Sequence, residues 1–103
     1  MVRIKVEWSL DARLDLYDVL EFYRIRNGNS LYSKKLNNKI DKSVKLLIKN
    51  PFIGKPTEEP SIRALITGDY QIIYEVFEKL IVIIMIWDTR RDPEDRIIDY
   101  RRK

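Results

Sequence analysis

The sequence predicts an α+β fold in which an N-terminal strand, an αα-hairpin and a three-stranded antiparallel meander form one small twisted sheet, in the order β-α-α-β-β-β, with a short polar C-terminal tail or helix. Three observations carry this reading. Residues 2–8 alternate apolar and polar, the two stretches between Ser9 and Asn50 place their apolar residues on one stripe each, and three β-branched and aromatic runs follow Pro60. At 103 residues the chain is expected to be a single domain spanning 1–103.

In the first strand Val2, Ile4, Val6 and Trp8 point one way and Arg3, Lys5 and Glu7 the other, as in a one-faced or edge strand. Ser9 then stands where an N-cap belongs, Asp11 adds negative charge to the first turn, and Ala12, Leu16, Val19, Leu20 and Tyr23 share a helical face that ends near Asn27-Gly28. Ser30 is the expected cap of a second helix, in which Leu36, Ile40, Val44, Leu47 and Ile48 form the apolar stripe. Lys34, Lys35, Lys39, Lys42, Lys45 and Lys49 fall within an arc of roughly 140° on its other side. The short connection makes the helices antiparallel neighbours. Asn50-Pro51 ends the second helix, because proline disfavours helical backbone in the residue before it.

Residues 51–60, with three prolines and Gly54, read as an irregular loop. Strands are expected at 62–66, 70–77 and 80–87, with Gly68-Asp69 and Glu78-Lys79 at the turns. The last, Leu80 to Trp87, is apolar on both faces and belongs in the interior of the sheet. Beyond it, Asp92 can cap a short helix with Pro93 at its first position.

Composition removes several chemistries. The chain has no cysteine and no histidine, so disulfides, the usual zinc, haem and iron–sulfur ligand sets and His-dependent nucleophiles are absent, and no cofactor or metal is expected. The eight-residue apolar run is far short of the ~20 needed to span a bilayer, and charges interrupt the N-terminal apolar residues, so a cytoplasmic protein without membrane association is expected. The net charge of +4 is unevenly spread: residues 24–56 hold nine bases and one acid, Asp41. That segment and the C-terminus would attract nucleic acid or an acidic protein surface, and the lysine face can equally be a solvated surface.

Four short segments, in order and spacing, resemble the RelE/ParE superfamily of type II toxin–antitoxin toxins. They are Val6-Glu7-Trp8-Ser9 with Ala12 and Asp15-Leu16; Asn50-Pro51 with Ile53-Gly54-Lys55-Pro56; Arg63-Ala64-Leu65 with Gly68-Asp69-Tyr70-Gln71-Ile72-Ile73-Tyr74-Glu75-Val76; and Arg90-Arg91-Asp92-Pro93. The resemblance implies a toxin neutralised by a cognate antitoxin protein in an oligomeric toxin–antitoxin complex. Its target would be DNA gyrase in ParE-like members, or messenger RNA on the ribosome in RelE-like members, which are metal-independent endoribonucleases. An inactive partner-binding module is the third alternative.

Ribonuclease chemistry of this type needs cations around the scissile phosphate and a proton donor for the leaving oxygen. In the RelE pattern an arginine directly follows the tyrosine of the strand motif; that position here is Gln71, neutral and unable to replace it. A second family arginine falls on Arg91, while the late tyrosine falls near Ile97, with Tyr100 the nearest substitute. The ribonuclease reading therefore rests on Arg63, Arg91 and Tyr100 as catalytic residues. The ParE-like reading is preferred, with Arg90, Arg91, Arg96, Lys35, Lys39 and Lys42 as target-binding residues. Charge reversal of Arg90 and Arg91 is expected to abolish toxicity without unfolding the chain, as exposed tail residues contribute within about 0.5 kcal/mol. Tyr70, Tyr74 and Trp8 are expected in the core. Glu7, Asp11 and Asp15 are acidic neighbours that could serve a two-carboxylate hydrolase, although nothing else supplies its pocket.

Overall fold

A computed structural model describes residues 3–101, with the side chains of 99 and 100 excepted. The first strand, β1, covers Lys5–Trp8 and is shorter than the alternation suggested. Its partner explains why: Lys5 pairs with Leu80, the first residue of β5 (Leu80–Asp88), so residues 3 and 4 have no strand beside them. Val2 lies outside the described residues.

Helix α1 spans Leu10–Asn27, with the Ser9 hydroxyl accepting from the Ala12 amide at 3.1 Å, and it ends at Gly28 in the left-handed region at φ 71°. Helix α2 covers Leu31–Lys49. The expected Ser30 cap is corrected here: its backbone, at φ −102° and ψ 7°, is not extended, and its side chain makes no capping bond. The Asn29 carbonyl oxygen Oδ1 accepts from the Leu31 amide instead, at 3.0 Å. The hairpin is pinned in the first turn of α2 by the buried Ser33 hydroxyl, which donates to Leu20 O at 2.6 Å.

The sheet has five strands in the order β1-β5-β4-β3-β2, with β3 at Ile62–Thr67 and β4 at Tyr70–Val76. The added strand, β2, is the dipeptide Lys55–Pro56 inside the segment read as a loop, paired antiparallel with Ala64 and Arg63. Proline is tolerated there because β2 is an edge. β5 lies in the interior as expected, parallel to β1 and antiparallel to β4.

Ala12, Leu36, Ile40 and Leu47 pack on the helix-facing side of the sheet, against Tyr70, Ile72, Tyr74, Ile81, Ile83 and Ile86. Ile62, Ala64, Ile73, Ile84, Met85 and Trp87 form the far side, covered in part by Ile98 of α3 (Ile98–Arg101). The register shifts between Ile73 and Tyr74, which pair with Met85 and Ile83 and leave Ile84 as an extra residue. This bulge moves the helix-facing positions of β5 from Ile81 and Ile83 to Ile86, and it explains why an unbroken apolar run serves two faces.

Helix α1 carries a second apolar stripe. Leu10, Leu14, Tyr17 and Ile25 are exposed and fall within an arc of roughly 80°, opposite the buried Ala12 and the half-buried Leu16, Val19 and Tyr23.

Candidate functional site

Arg90 and Arg91 leave the end of β5 on opposite faces of the sheet. Arg90 turns to the helix side, donating to Asp88 through Nε and Nη2 at 2.9 Å each and to the hydroxyls of Tyr23 at 3.2 Å and Tyr70 at 3.4 Å. Its guanidinium holds the Asp88 carboxyl below the usual carboxylate range and lowers the Tyr23 phenol, to which a Tyr70 hydrogen bond also contributes. Burial, reinforced by the hydrogen bond with Tyr23, pushes the Tyr70 phenol up. Arg91 turns to the far side and lies over the buried Trp87 ring at 4.5 Å. It has no carboxylate partner among the described residues.

Gln71 sits on the far face, paired in register with Trp87. Its side-chain oxygen accepts a short hydrogen bond from Arg96 Nη1, and Arg96 Nη2 reaches Glu58 at 3.4 Å. Arg96 is thus drawn in from the tail onto the residue that replaces the RelE-pattern arginine.

Arg63 is elsewhere. It pairs in register with Tyr74, four residues along β4 from the Tyr70–Asp88 pair, and donates to Gly54 O at 2.7 Å and Phe52 O at 3.3 Å while lying 5.1 Å from the Phe52 ring. A cleft of about 750 Å³ lies at this end, but its walls are mainly apolar (Phe52, Ile62, Phe77) and its arginine is already spent on backbone carbonyls. The structure therefore does not bring Arg63 together with Arg90 and Arg91. The Tyr100 side chain lies outside the described residues. Lys35, Lys39 and Lys42 are exposed on α2, with Lys35 and Lys39 facing the β3–β4 turn across a small depression.

Tyr70 and Tyr74 are buried, as expected. Burial also raises the Tyr74 phenol, against the opposing influence of the Gly54 amide and Arg63. A tyrosine whose folded-state value is raised contributes stability that is complete below its unfolded value near pH 10 and lost as pH rises through the folded value. Tyr23 is lowered, so its contribution grows as pH rises through its folded value and is complete above the unfolded value near pH 10, in the window below that of the other two. Thermal melts should therefore show no loss on the approach to about pH 10, where Tyr23 adds stability, and should fall above it, less steeply for Tyr74→Phe than for the parent.

Sequence reasoning missed Asp15 and Arg101 as partners. Arg101 donates to both Asp15 carboxylate oxygens at 2.8 and 2.9 Å and to Ile84 O at 3.0 Å, while Asp15 accepts from the Ile86 amide at 3.0 Å. β1 pairs only with Leu80–Ile83, so the pair closes the stretch of β5 edge that β1 leaves open.

The model of the ParE toxin of the type II toxin–antitoxin system parDE matches residues 6–93 of this sequence. The chain belongs to this toxin family. Among solved structures, this ParE-family toxin is similar to a chain of the chromosomal ParDE system from P. aeruginosa, at 26% identity and TM-score 0.73, over 84% of this chain and 96% of that one. It shares its fold with a chain of the toxin–antitoxin complex RelBE2 from Mycobacterium tuberculosis, at 20% identity and TM-score 0.61, over 84% and 99% of the two chains. A chain of the E. coli DinJ-YafQ complex has the fold as well, at 16% identity and TM-score 0.55, over 86% and 96%. No curated protein matches the sequence. The protein is the toxin of a type II toxin–antitoxin system, on the ParE-like side of the RelE/ParE superfamily.

Proposed function

We propose that this ParE-family toxin acts in the cytoplasm by binding DNA gyrase and blocking replication, and that a cognate antitoxin neutralises it in an oligomeric complex. The observation that supports binding over RNA cleavage is the disposition of the arginines. Gln71 is held by Arg96, Arg63 is turned to loop carbonyls, and Arg90 is tied to Asp88. Arg91 remains without a carboxylate partner among the described residues, and one cation does not make the clamp that a phosphate transition state needs.

Induction of the chain alone in a bacterial host, with pulse labelling over the first minutes, tests this reading. DNA synthesis should fall first, and purified toxin should inhibit gyrase supercoiling; an earlier fall in protein synthesis would instead support RNA cleavage. Arg91→Glu should abolish the effect with little change in melting temperature, because Arg91 is exposed and its side chain makes a single contact, over the Trp87 ring. Arg90→Glu is not an equivalent test. The expectation that both residues are mere exposed tail is revised by the contacts Arg90 makes with Asp88, Tyr23 and Tyr70.

The outward stripe of α1 supports an antitoxin-docking surface, since the solved relatives include toxins in complex with antitoxins and an amphipathic partner segment seats its apolar face on such a stripe. Leu14→Asp with Tyr17→Asp should leave the toxin active but insensitive to co-expressed antitoxin. Full rescue of growth by the antitoxin would remove α1 from the interface.

A further inference from the structure

Three shallow depressions adjoin where α1 turns into α2, each sharing an aromatic ring with the next. Phe22, Tyr23 and Arg26 border the first, which Asp18 and the Arg90-bound Asp88 also line, Tyr23, Arg26 and Tyr32 the second, and Tyr32, Lys35 and Lys39 the third. Tyr23 contacts both neighbours edge-on, with ring centroids 5.1 Å from Phe22 and 4.6 Å from Tyr32, so the rings form a supported row across the hairpin. Phe22 is 55% exposed and Tyr32 42%. Arg26 stands 6.0 Å over the Phe22 ring, and Arg26, Lys35 and Lys39 have no carboxylate partner among the described residues. The only acid of the 24–56 segment, Asp41, is engaged by Lys45 at 3.1 Å, and Asp69 on the facing turn is 3.9 Å from Arg90.

We propose that this end of the hairpin is a binding track for single-stranded nucleic acid, with Phe22 and Tyr32 stacking on bases and Arg26, Lys35 and Lys39 neutralising phosphates. The inference does not depend on the toxin's cellular target. Exposed rings alternating with unpaired cations along a concave path match what an unpaired strand offers, a π-face and a negative charge per nucleotide. A duplex hides its base faces in the stack, so the rings would find nothing there. An acidic peptide would use the cations and leave the rings idle.

The test is fluorescence anisotropy of the full chain with a labelled oligothymidine of about 15 nucleotides, its duplex, and polyglutamate as competitor. Single strand should bind more tightly than duplex, with affinity falling steeply as salt rises. Lys35→Ala with Lys39→Ala should reduce the slope of log affinity against log salt by about 1.4. Phe22→Ala and Tyr32→Ala should each weaken binding by about tenfold with the slope unchanged. Equal affinity for duplex, competition by polyglutamate at matched charge, or full binding by the ring variants would overturn the proposal, as would no binding at low salt. Tyr32 packs on Tyr23, so a variant that loses its fold is replaced by photocrosslinking of the parent chain to a bromodeoxyuridine strand. Adducts on the peptides holding Phe22 or Tyr32 support the track, and adducts confined elsewhere refute it.

Discussion

Asp15→Ala should cost this toxin about 3 kcal/mol and lower its melting temperature by roughly 15 °C, far more than removal of a surface ion pair. The carboxylate accepts three hydrogen bonds, two from Arg101 and one from the Ile86 amide, and its side chain is only 21% exposed. Alanine leaves the Ile86 N–H without its acceptor on a sheet edge that β1 does not cover, and removes the two-pronged carboxylate from an Arg101 guanidinium that is itself only 20% exposed. Asp11 is 3.9 Å from Arg101 and half exposed, too distant to replace a paired carboxylate. Asp15→Asn keeps an oxygen for the amide and gives up the charge, so it should cost about half as much. Arg101→Ala should cost about 1 kcal/mol, because Asp15 keeps its bond to Ile86. Thermal melts followed by circular dichroism would rank the three, and equal losses for Asp15→Ala and Arg101→Ala would reduce the pair to an ordinary ion pair with no part in closing the edge.

What the sequence could and could not reveal follows from whether the deciding contact is local. The Ser9 cap and the pre-proline end of α2 act within a few residues, and they are legible because the residue types carry the geometry. Asp15 reads as one of several acids near α1, and its bond to Ile86 spans 71 positions, so no window of the chain contains both ends. The role also requires β1 to be shorter than β5, which the alternation of residues 2–8 concealed. The bulge at Ile84 is hidden for a different reason: a run that is apolar on both faces has no alternation to break. Gln71 is legible as a departure from the RelE pattern, whereas its partner Arg96 comes from a tail with no periodicity to place it. The second stripe of α1 escaped because the core-facing stripe alone accounts for a helix. Of the candidate site residues, the pattern correctly placed Tyr70 and Tyr74 in the core but not the Arg90 contacts that make Tyr70 part of a charged knot.

The segment between α2 and β3 hangs on one buried hydroxyl, and Tyr74→Phe should cost about 2 kcal/mol and roughly 10 °C of melting temperature. The Tyr74 hydroxyl accepts from the Gly54 amide at 2.9 Å and donates to Pro51 O at 2.8 Å, so phenylalanine orphans one donor and one acceptor at a side chain with no solvent exposure. Gly54→Ala attacks the same contact from the other side. Its Cβ would sit 2.7 Å from the Tyr74 hydroxyl, 2.9 Å from Cε1 of the ring and 3.0 Å from the backbone carbon of Ala64. The ring is fully enclosed and the backbone is held in the β3–β4 ladder, so the loop must lift, weakening both hydrogen bonds, the Arg63 contact with Gly54 O at 2.7 Å and the β2–β3 pairing. The loss should reach about 3 kcal/mol. In the double variant the hydroxyl clash is gone while the ring-edge and backbone contacts remain, so its loss should fall short of the sum of the two single losses by about 1 kcal/mol in urea unfolding. Additive losses would place the strain at Ala64 rather than Tyr74. Arg91 and Trp87 lie at the opposite end of the sheet, so each single variant should still arrest growth at temperatures where it remains folded, which separates the anchoring of this loop from the proposed target contact.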